Sequence, residues 1–192
     1  MKKISFILIV ALVLMTFVFP AYSQDKLLGE GMTIYCQMGG AEGAVATIQR
    51  TLGAREAAKA LGVKLIEQYS QWQPEKMVQQ FKEAIAAQPD GIVIMGHPGS
   101  AAMWDLVREA DSKGIIVTVN NTPLPDIQEE FLAKGFGYSG VDLFAGGYLT
   151  GQAMVKAGLK PGDKAIVYGL FSQPFRGQSE EGMARALEDA GI

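Results

Sequence analysis

Polar and aromatic side chains recur just after the short apolar runs of this chain. They are Gln37, Trp72, His97, Asn120, Asn121, Phe175 and Arg176. Amide and guanidinium groups offer several hydrogen bonds in planar geometry, which suits a molecule dense in hydroxyl groups. Aromatic faces add contact area at low entropic cost and match the C–H face of a ring. The set predicts a small-molecule site, although each residue alone is more often a turn or cap residue.

The same residue types offer little for catalysis or metal binding. His97 is the only histidine, Cys36 is the only cysteine, and no G-x-S-x-G segment presents a nucleophilic serine. A zinc site built from histidine and cysteine needs several such ligands. Acidic residues are plentiful, but their spacing singles out no pair, so a paired-carboxylate hydrolase stays open. We predict no catalytic residue, no metal and no cofactor.

A glycine motif at residues 135–140 matches G-x-G-x-x-G, the pattern that brings a pyrophosphate to a helix N-terminus. In dinucleotide-binding folds this motif follows the first strand, whereas here it overlaps the fifth predicted strand. We therefore interpret it as a strand followed by a flexible crossing between two lobes.

Strands and helices alternate along the chain and must position these residues. Apolar runs predict strands at residues 32–36, 63–69, 91–95, 115–119, 135–138 and 164–168. Amphipathic stretches predict helices at residues 44–61, 74–87, 100–113, 143–156 and 178–190. Strands separated by such helices pair in parallel through right-handed crossovers. The fold class is therefore α/β, a doubly wound parallel sheet.

In such a sheet the ligand binds at the carboxyl ends of the strands. The loops at those ends are residues 37–43, 70–73, 96–100, 120–126 and 170–177, and all carry unusual polar or aromatic content. The prediction of a binding site depends on these loops converging, not on any one of them.

The first 23 residues have the pattern of a secretory signal peptide. Lys2 and Lys3 precede an apolar run at residues 4–19, Pro20 ends the run, and cleavage is expected after Ser23. The run is shorter than the ~20 residues that span a bilayer as a helix, so a retained anchor is the minor alternative. We expect a soluble, non-lipidated protein of the periplasm. The net charge of −3, without basic clusters, makes nucleic acid a poor partner.

The chain divides into a signal peptide at residues 1–23, a first α/β lobe at 24–140 and the start of a second lobe at 141–192. Gly191 follows the last predicted helix as a stop signal, and Ile192 resembles the first residue of a further strand. One strand and two helices bury too little apolar surface to form a domain. We expect an incomplete second lobe; the alternative is a small domain completed by packing on the first.

Three stretches of the chain resemble the type I periplasmic binding proteins of sugar importers, the ribose/galactose-like group. They are AQPDGIVI at residues 87–94, GIIVTVNN at 114–121 and DLFAGGYLTG at 142–151. The resemblance covers nearly all of the mature chain. It implies two lobes joined by a hinge that close on one small ligand, with the closed form docking on a membrane permease.

The resemblance also assigns individual residues. Asn120 stands where the family commonly has an aspartate that binds sugar hydroxyls, and Asn121 stands where a ribose binder has arginine. Arg176 lies one position from the second-lobe arginine of the family. The loop at residues 37–43 lacks the Asn and Phe residues of ribose binders, and Trp72 is expected to replace that aromatic wall. These departures leave the sugar undefined.

The resemblance implies an ABC importer component that binds a sugar or polyol and acts as a monomer when full length. A sensory protein of the same fold that presents its ligand to a chemoreceptor is the first alternative. An exported hydrolase is the second. A sugar-responsive repressor shares the fold but carries a DNA-binding head where this chain has a signal peptide.

Overall fold

A five-stranded parallel sheet forms the centre of the computed structural model, which describes residues 26–172 and 175–192. The strand order is β2-β1-β3-β4-β5. The strands are β1 (Thr33–Gly39), β2 (Lys64–Tyr69), β3 (Gly91–Met95), β4 (Ile116–Asn120) and β5 (Tyr138–Ser139). The predicted signal peptide lies outside the described residues.

Helices connect the strands and lie on both faces of the sheet. They are α1 (Val45–Leu61), α2 (Pro74–Ala86), α3 (Ser100–Ser112) and α4 (Pro125–Phe131), which continues into a 3-10 turn (Leu132–Lys134). In right-handed crossovers the direction of chain travel across the sheet decides which face a helix covers. The chain travels one way from β1 to β2 and the other way from β2 to β5, so α1 lies opposite α2, α3 and α4. The predicted doubly wound α/β fold is confirmed.

The main hydrophobic core fills the space between the sheet and helices α2, α3 and α4. Its fully buried side chains include Phe81, Ile92, Ile94, Met103 and Ile127. Burying one such side chain stabilises the fold by roughly 1.5–3 kcal/mol. The carboxyl ends of β1, β3 and β4 therefore rest on a firmly packed base.

The sequence analysis did not predict α4. The helix is only 7 residues long and begins at Pro125, whose fixed φ suits the first helical turn. It is held by burial of Ile127 and Phe131. Its start brings Asp126 close to the start of α3.

Beyond β5 the chain forms α5 (Leu143–Lys156) and α6 (Gln178–Asp189), which pack closely against each other. The strand predicted at residues 164–168 is wrong, because this segment has no regular structure. Ile166 and Tyr168 are 95% and 96% exposed. A strand needs hydrogen bonds from a neighbouring strand, and none of the five described strands pairs with this segment.

The division into lobes at residue 140 stays a prediction; the sheet itself ends at Ser139. None of the helices in the described ranges is long and apolar enough to cross a membrane.

Candidate ligand-binding site

An open cavity of about 900 Å³ lies at the carboxyl ends of the strands. Five of the seven predicted site residues line it, namely Trp72, His97, Asn121, Phe175 and Arg176. Further lining residues come from the starts of helices and from strand-end loops, among them Ala46, Pro74, Gly99, Ser100, Thr122, Asp126 and Leu170. The cavity opens at the reversal of strand order between β1 and β3, which is where a doubly wound sheet binds its ligand.

Unusual backbone conformations concentrate around this cavity. Gln71, Trp72, Asn121 and Phe175 all have positive φ, between 55° and 67°. A left-handed conformation costs a non-glycine residue roughly 1–2 kcal/mol. Among the described residues other than glycine, only Gln88 has a positive φ away from the cavity. Such strain clusters at functional sites, where the surrounding structure holds it in place.

Trp72 forms the aromatic part of the cavity wall and is 38% exposed. Its ring lies 5.3 Å from the ring of His97, measured between centroids, with the two planes inclined by 42°. The guanidinium carbon of Arg50 lies 5.9 Å from the centre of the indole. Arg50 is itself fixed, because its Nη1 donates a hydrogen bond of 2.6 Å to the Met38 carbonyl oxygen. The sequence analysis missed Arg50, which lies on α1 rather than on a strand-end loop.

His97 is an uncharged member of the wall at neutral pH. Burial first, and then the positive charges of Arg176 and Arg50, together lower the pKa of its imidazole to about 4. Its Nδ1 lies 3.3 Å from the Thr122 hydroxyl oxygen. A neutral imidazole both donates and accepts hydrogen bonds, as a hydroxyl group of a ligand requires.

Asp126 is the carboxylate that lines the cavity, and the sequence analysis did not select it. The Ser100 hydroxyl at the start of α3 donates a hydrogen bond to Asp126 Oδ1 at the start of α4. The second carboxylate oxygen remains available to accept from a ligand. Both residues fall within the predicted loops, but Ser and Asp at helix starts are common capping residues, so their types alone gave no signal.

Gln37 and Asn120 lie behind the wall and do not line the cavity. Both are buried, at 0% and 6% exposure. Gln37 Nε2 donates to the Met77 carbonyl oxygen at 2.7 Å, and its Oε1 accepts from the Met95 amide at 2.8 Å. Asn120 Nδ2 donates to the Gln37 carbonyl oxygen at 3.2 Å. These bonds tie β1, β3, β4 and α2 together beneath the site.

Phe175 and Arg176 reach the cavity from the segment between α5 and α6, together with Leu170. The same cavity is therefore lined by residues of the five-stranded sheet with its loops and by residues that follow β5.

Residues 36–192 match the family described as periplasmic binding protein domain. The chain belongs to this family. The resemblance stated from the sequence is confirmed, and the solved structures similar to this periplasmic binding protein are solute-binding proteins. No curated protein sequence matches the chain.

One similar solved structure is an ABC transporter periplasmic solute binding protein from Actinobacillus succinogenes 130z with bound D-allose. It is 27% identical, with a TM-score of 0.70, over 83% of this chain and 56% of that chain. A solute binding protein from Burkholderia graminis C4D1M, in complex with D-arabinose, is 21% identical, with a TM-score of 0.70, over 84% and 53%.

A periplasmic ribose ABC transporter from Conexibacter woesei DSM 14684 is 19% identical, with a TM-score of 0.66, over 88% of this chain and 54% of that chain. The likenesses to the Burkholderia and Conexibacter structures show the shared fold. This chain spans about half the length of the solved structures that it matches.

Proposed function

We propose that this periplasmic binding protein is the solute-binding component of an ABC importer, and that it binds a sugar or sugar-like molecule in the strand-end cavity. The observation that carries the proposal is the set of left-handed residues at the wall. Trp72, Asn121 and Phe175 are each strained, and each lines the cavity. The fold maintains this strain at the carboxyl ends of the strands, which is where doubly wound sheets bind their ligands.

The wall has the chemistry that a neutral, hydroxyl-rich ring needs. The indole of Trp72 offers a flat surface for the C–H face of a sugar. His97 is neutral, Asn121 carries an amide, and Asp126 has a carboxylate oxygen to spare, so hydroxyl groups find both donors and acceptors. Gln37 and Asn120 support the site from beneath in this proposal, by fixing the strands from which the loops project.

Ligand binding draws the two sides of the cavity together in this proposal. The sheet supplies Trp72 and His97, and the segment before α6 supplies Phe175 and Arg176. A ligand that contacts both sides only in a closed form shifts the equilibrium toward that form. The closed protein then delivers its solute to a membrane permease. A signal peptide at residues 1–23, export to the periplasm and a monomeric carrier complete the proposal.

The proposal is tested by isothermal titration calorimetry of the full chain with D-allose, D-arabinose and D-ribose. We expect saturable binding of at least one sugar. Replacing Trp72 with alanine should weaken that binding by about 1–3 kcal/mol, because the stacking surface and its desolvated contacts are lost. Val45→Ala is the matched control, since Val45 lies on α1 outside the cavity and is 92% exposed.

Two results would overturn the proposal. One is that none of the three sugars gives a heat of binding. The other is an affinity that is the same in the Trp72→Ala and Val45→Ala proteins. An exported hydrolase is separated from the proposal by incubating the chain with the methyl glycosides of the same sugars, which a binding protein leaves intact.

A further inference from the structure

The indole of Trp72 lies directly on two consecutive glycines, Gly39 and Gly40, at the end of β1. A Cβ atom on Gly40 would lie 2.7 Å from Trp72 Nε1, and one on Gly39 would lie 2.7 Å from Trp72 Cζ3. Both distances are shorter than the contacts that real Cβ atoms make, so the added atom would clash with the indole unless one of them moved. The ring therefore occupies space that any side chain at these two positions would need.

Backbone hydrogen bonds hold the loop of Trp72 against the same glycines. The Gly39 carbonyl oxygen accepts from the Ser70 amide at 3.0 Å and from the Trp72 amide at 3.1 Å. The Ser70 hydroxyl donates to the same oxygen. The Gln71 amide donates to the Gly40 carbonyl oxygen at 3.2 Å. These bonds maintain the positive φ of Gln71 and Trp72, so the direction in which the indole leaves the backbone is fixed.

Other groups also flank the indole away from the cavity. His97 and Arg50 flank the ring, and Arg50 is anchored to the end of β1 through Met38. A Cβ on Gly40 would also lie 2.8 Å from Thr47 Cγ2 on α1, so the glycine fills a narrow gap between helix and ring. Because these neighbours stay in place, a side chain at position 40 would push the indole toward the open cavity.

We infer that Gly39 and Gly40 are positioning residues for Trp72, and that they set how far the aromatic wall projects into the ligand site. The inference rests on the proposed function for its effect on binding, but the position of the ring is measurable without any ligand. A wall fixed before the ligand arrives lowers the entropic cost of binding. The two glycines thus define the depth available to the ring of the solute.

The position of the ring is tested by fluorescence in a Trp104→Phe background, where Trp72 is the only tryptophan. We expect Gly40→Ala to shift the emission of Trp72 to longer wavelength and to increase its quenching by acrylamide, because the ring moves toward solvent. Gly53→Ala is the matched control, since a Cβ there meets nothing within 4 Å. Equal emission and quenching in the two folded variants would overturn the inference.

A second variant identifies which group moves, the indole of Trp72 or the methyl group of Thr47. Adding Thr47→Ser to Gly40→Ala removes that methyl group, and the red shift should persist if the added Cβ displaces the indole. If Gly40→Ala does not fold, the Gly40→Ala/Trp72→Ala protein decides: recovery of the fold supports the inference, and continued failure to fold overturns it.

Binding of D-allose, D-arabinose and D-ribose supplies the functional readout. For any sugar that binds, Gly40→Ala should weaken the affinity several-fold when Trp72 is present. In the Trp72→Ala background Gly40→Ala should leave the affinity unchanged. Two groups that act through one contact give this non-additivity. Equal losses in both backgrounds would overturn the inference. If no sugar binds, the proposed function fails, while the fluorescence comparison still decides where the ring lies.

Discussion

Gln37→Leu should destabilise the protein more than any exposed substitution of the same type, because Gln37 joins two elements beneath the site. The side chain is fully buried and bonds the Met77 carbonyl oxygen and the Met95 amide. Leucine fills a similar volume but forms neither bond. Met77 lies in a helix, where its carbonyl also accepts from the backbone, so the loss there is that of one ordinary bond, about 1 kcal/mol. The Met95 amide loses its buried acceptor, which costs about 1–3 kcal/mol.

The two losses together predict a decrease of about 2–4 kcal/mol in the free energy of unfolding. The assay is equilibrium urea denaturation followed by far-UV circular dichroism. Gln49→Leu is the matched control, because Gln49 is exposed on α1 and should change stability by less than about 0.5 kcal/mol. If Gln37→Leu and Gln49→Leu unfold at the same urea concentration, Gln37 does not join the strands as described.

Three further predictions concern the site and the sheet. Asp126→Asn should weaken sugar binding about tenfold, because a charged acceptor becomes a neutral one, whereas Glu129→Gln on the exposed side of α4 should not; calorimetry compares them, and equal affinities would remove Asp126 from the site. The pKa of His97 is lowered, mainly by burial, from an ordinary 6.5 to about 4, so the folded protein holds the neutral imidazole more strongly than the unfolded chain does. The resulting stability is complete above about pH 6.5 and is lost as the pH falls toward 4. Urea denaturation between these pH values should show this dependence of the unfolding free energy on pH in the native protein and not in His97→Gln, and the same dependence in both would refute the assignment. Burial raises the pKa of the Cys36 thiol to about 12, so iodoacetamide should not alkylate the native protein at pH 8 but should alkylate it in urea, and rapid native labelling would contradict the burial.

The parallel sheet could be predicted from the sequence because each buried strand is marked by its own apolar run. The run at residues 91–95 is continuously apolar, and the structure has a central strand, Gly91–Met95, at those residues. The run at residues 164–168 is also apolar after Lys164, yet Ile166 and Tyr168 stay exposed. A strand depends on its neighbours across the sheet, and sequence composition holds no information about whether a neighbour is present.

Candidate site residues were predictable as positions on loops, but not as contacts. Trp72 and Asn121 could be placed at strand ends, whereas their left-handed backbone depends on hydrogen bonds to distant carbonyl oxygens, such as the bond that the Trp72 amide donates to Gly39. Gln37 and Asn120 were also placed at strand ends, but their side chains are used beneath the cavity. Which face of the sheet a side chain meets depends on register, and a shift of one residue exchanges the two faces.

The most direct test of the account is titration of Trp72 emission with D-allose, D-arabinose and D-ribose in the Trp104→Phe protein. The central claim is that a sugar binds against the strand-end wall that Trp72 forms. The account predicts a saturable change in emission with at least one sugar, at the concentrations at which calorimetry detects binding. Unchanged emission while calorimetry shows saturable binding would place the sugar elsewhere and contradict the claim.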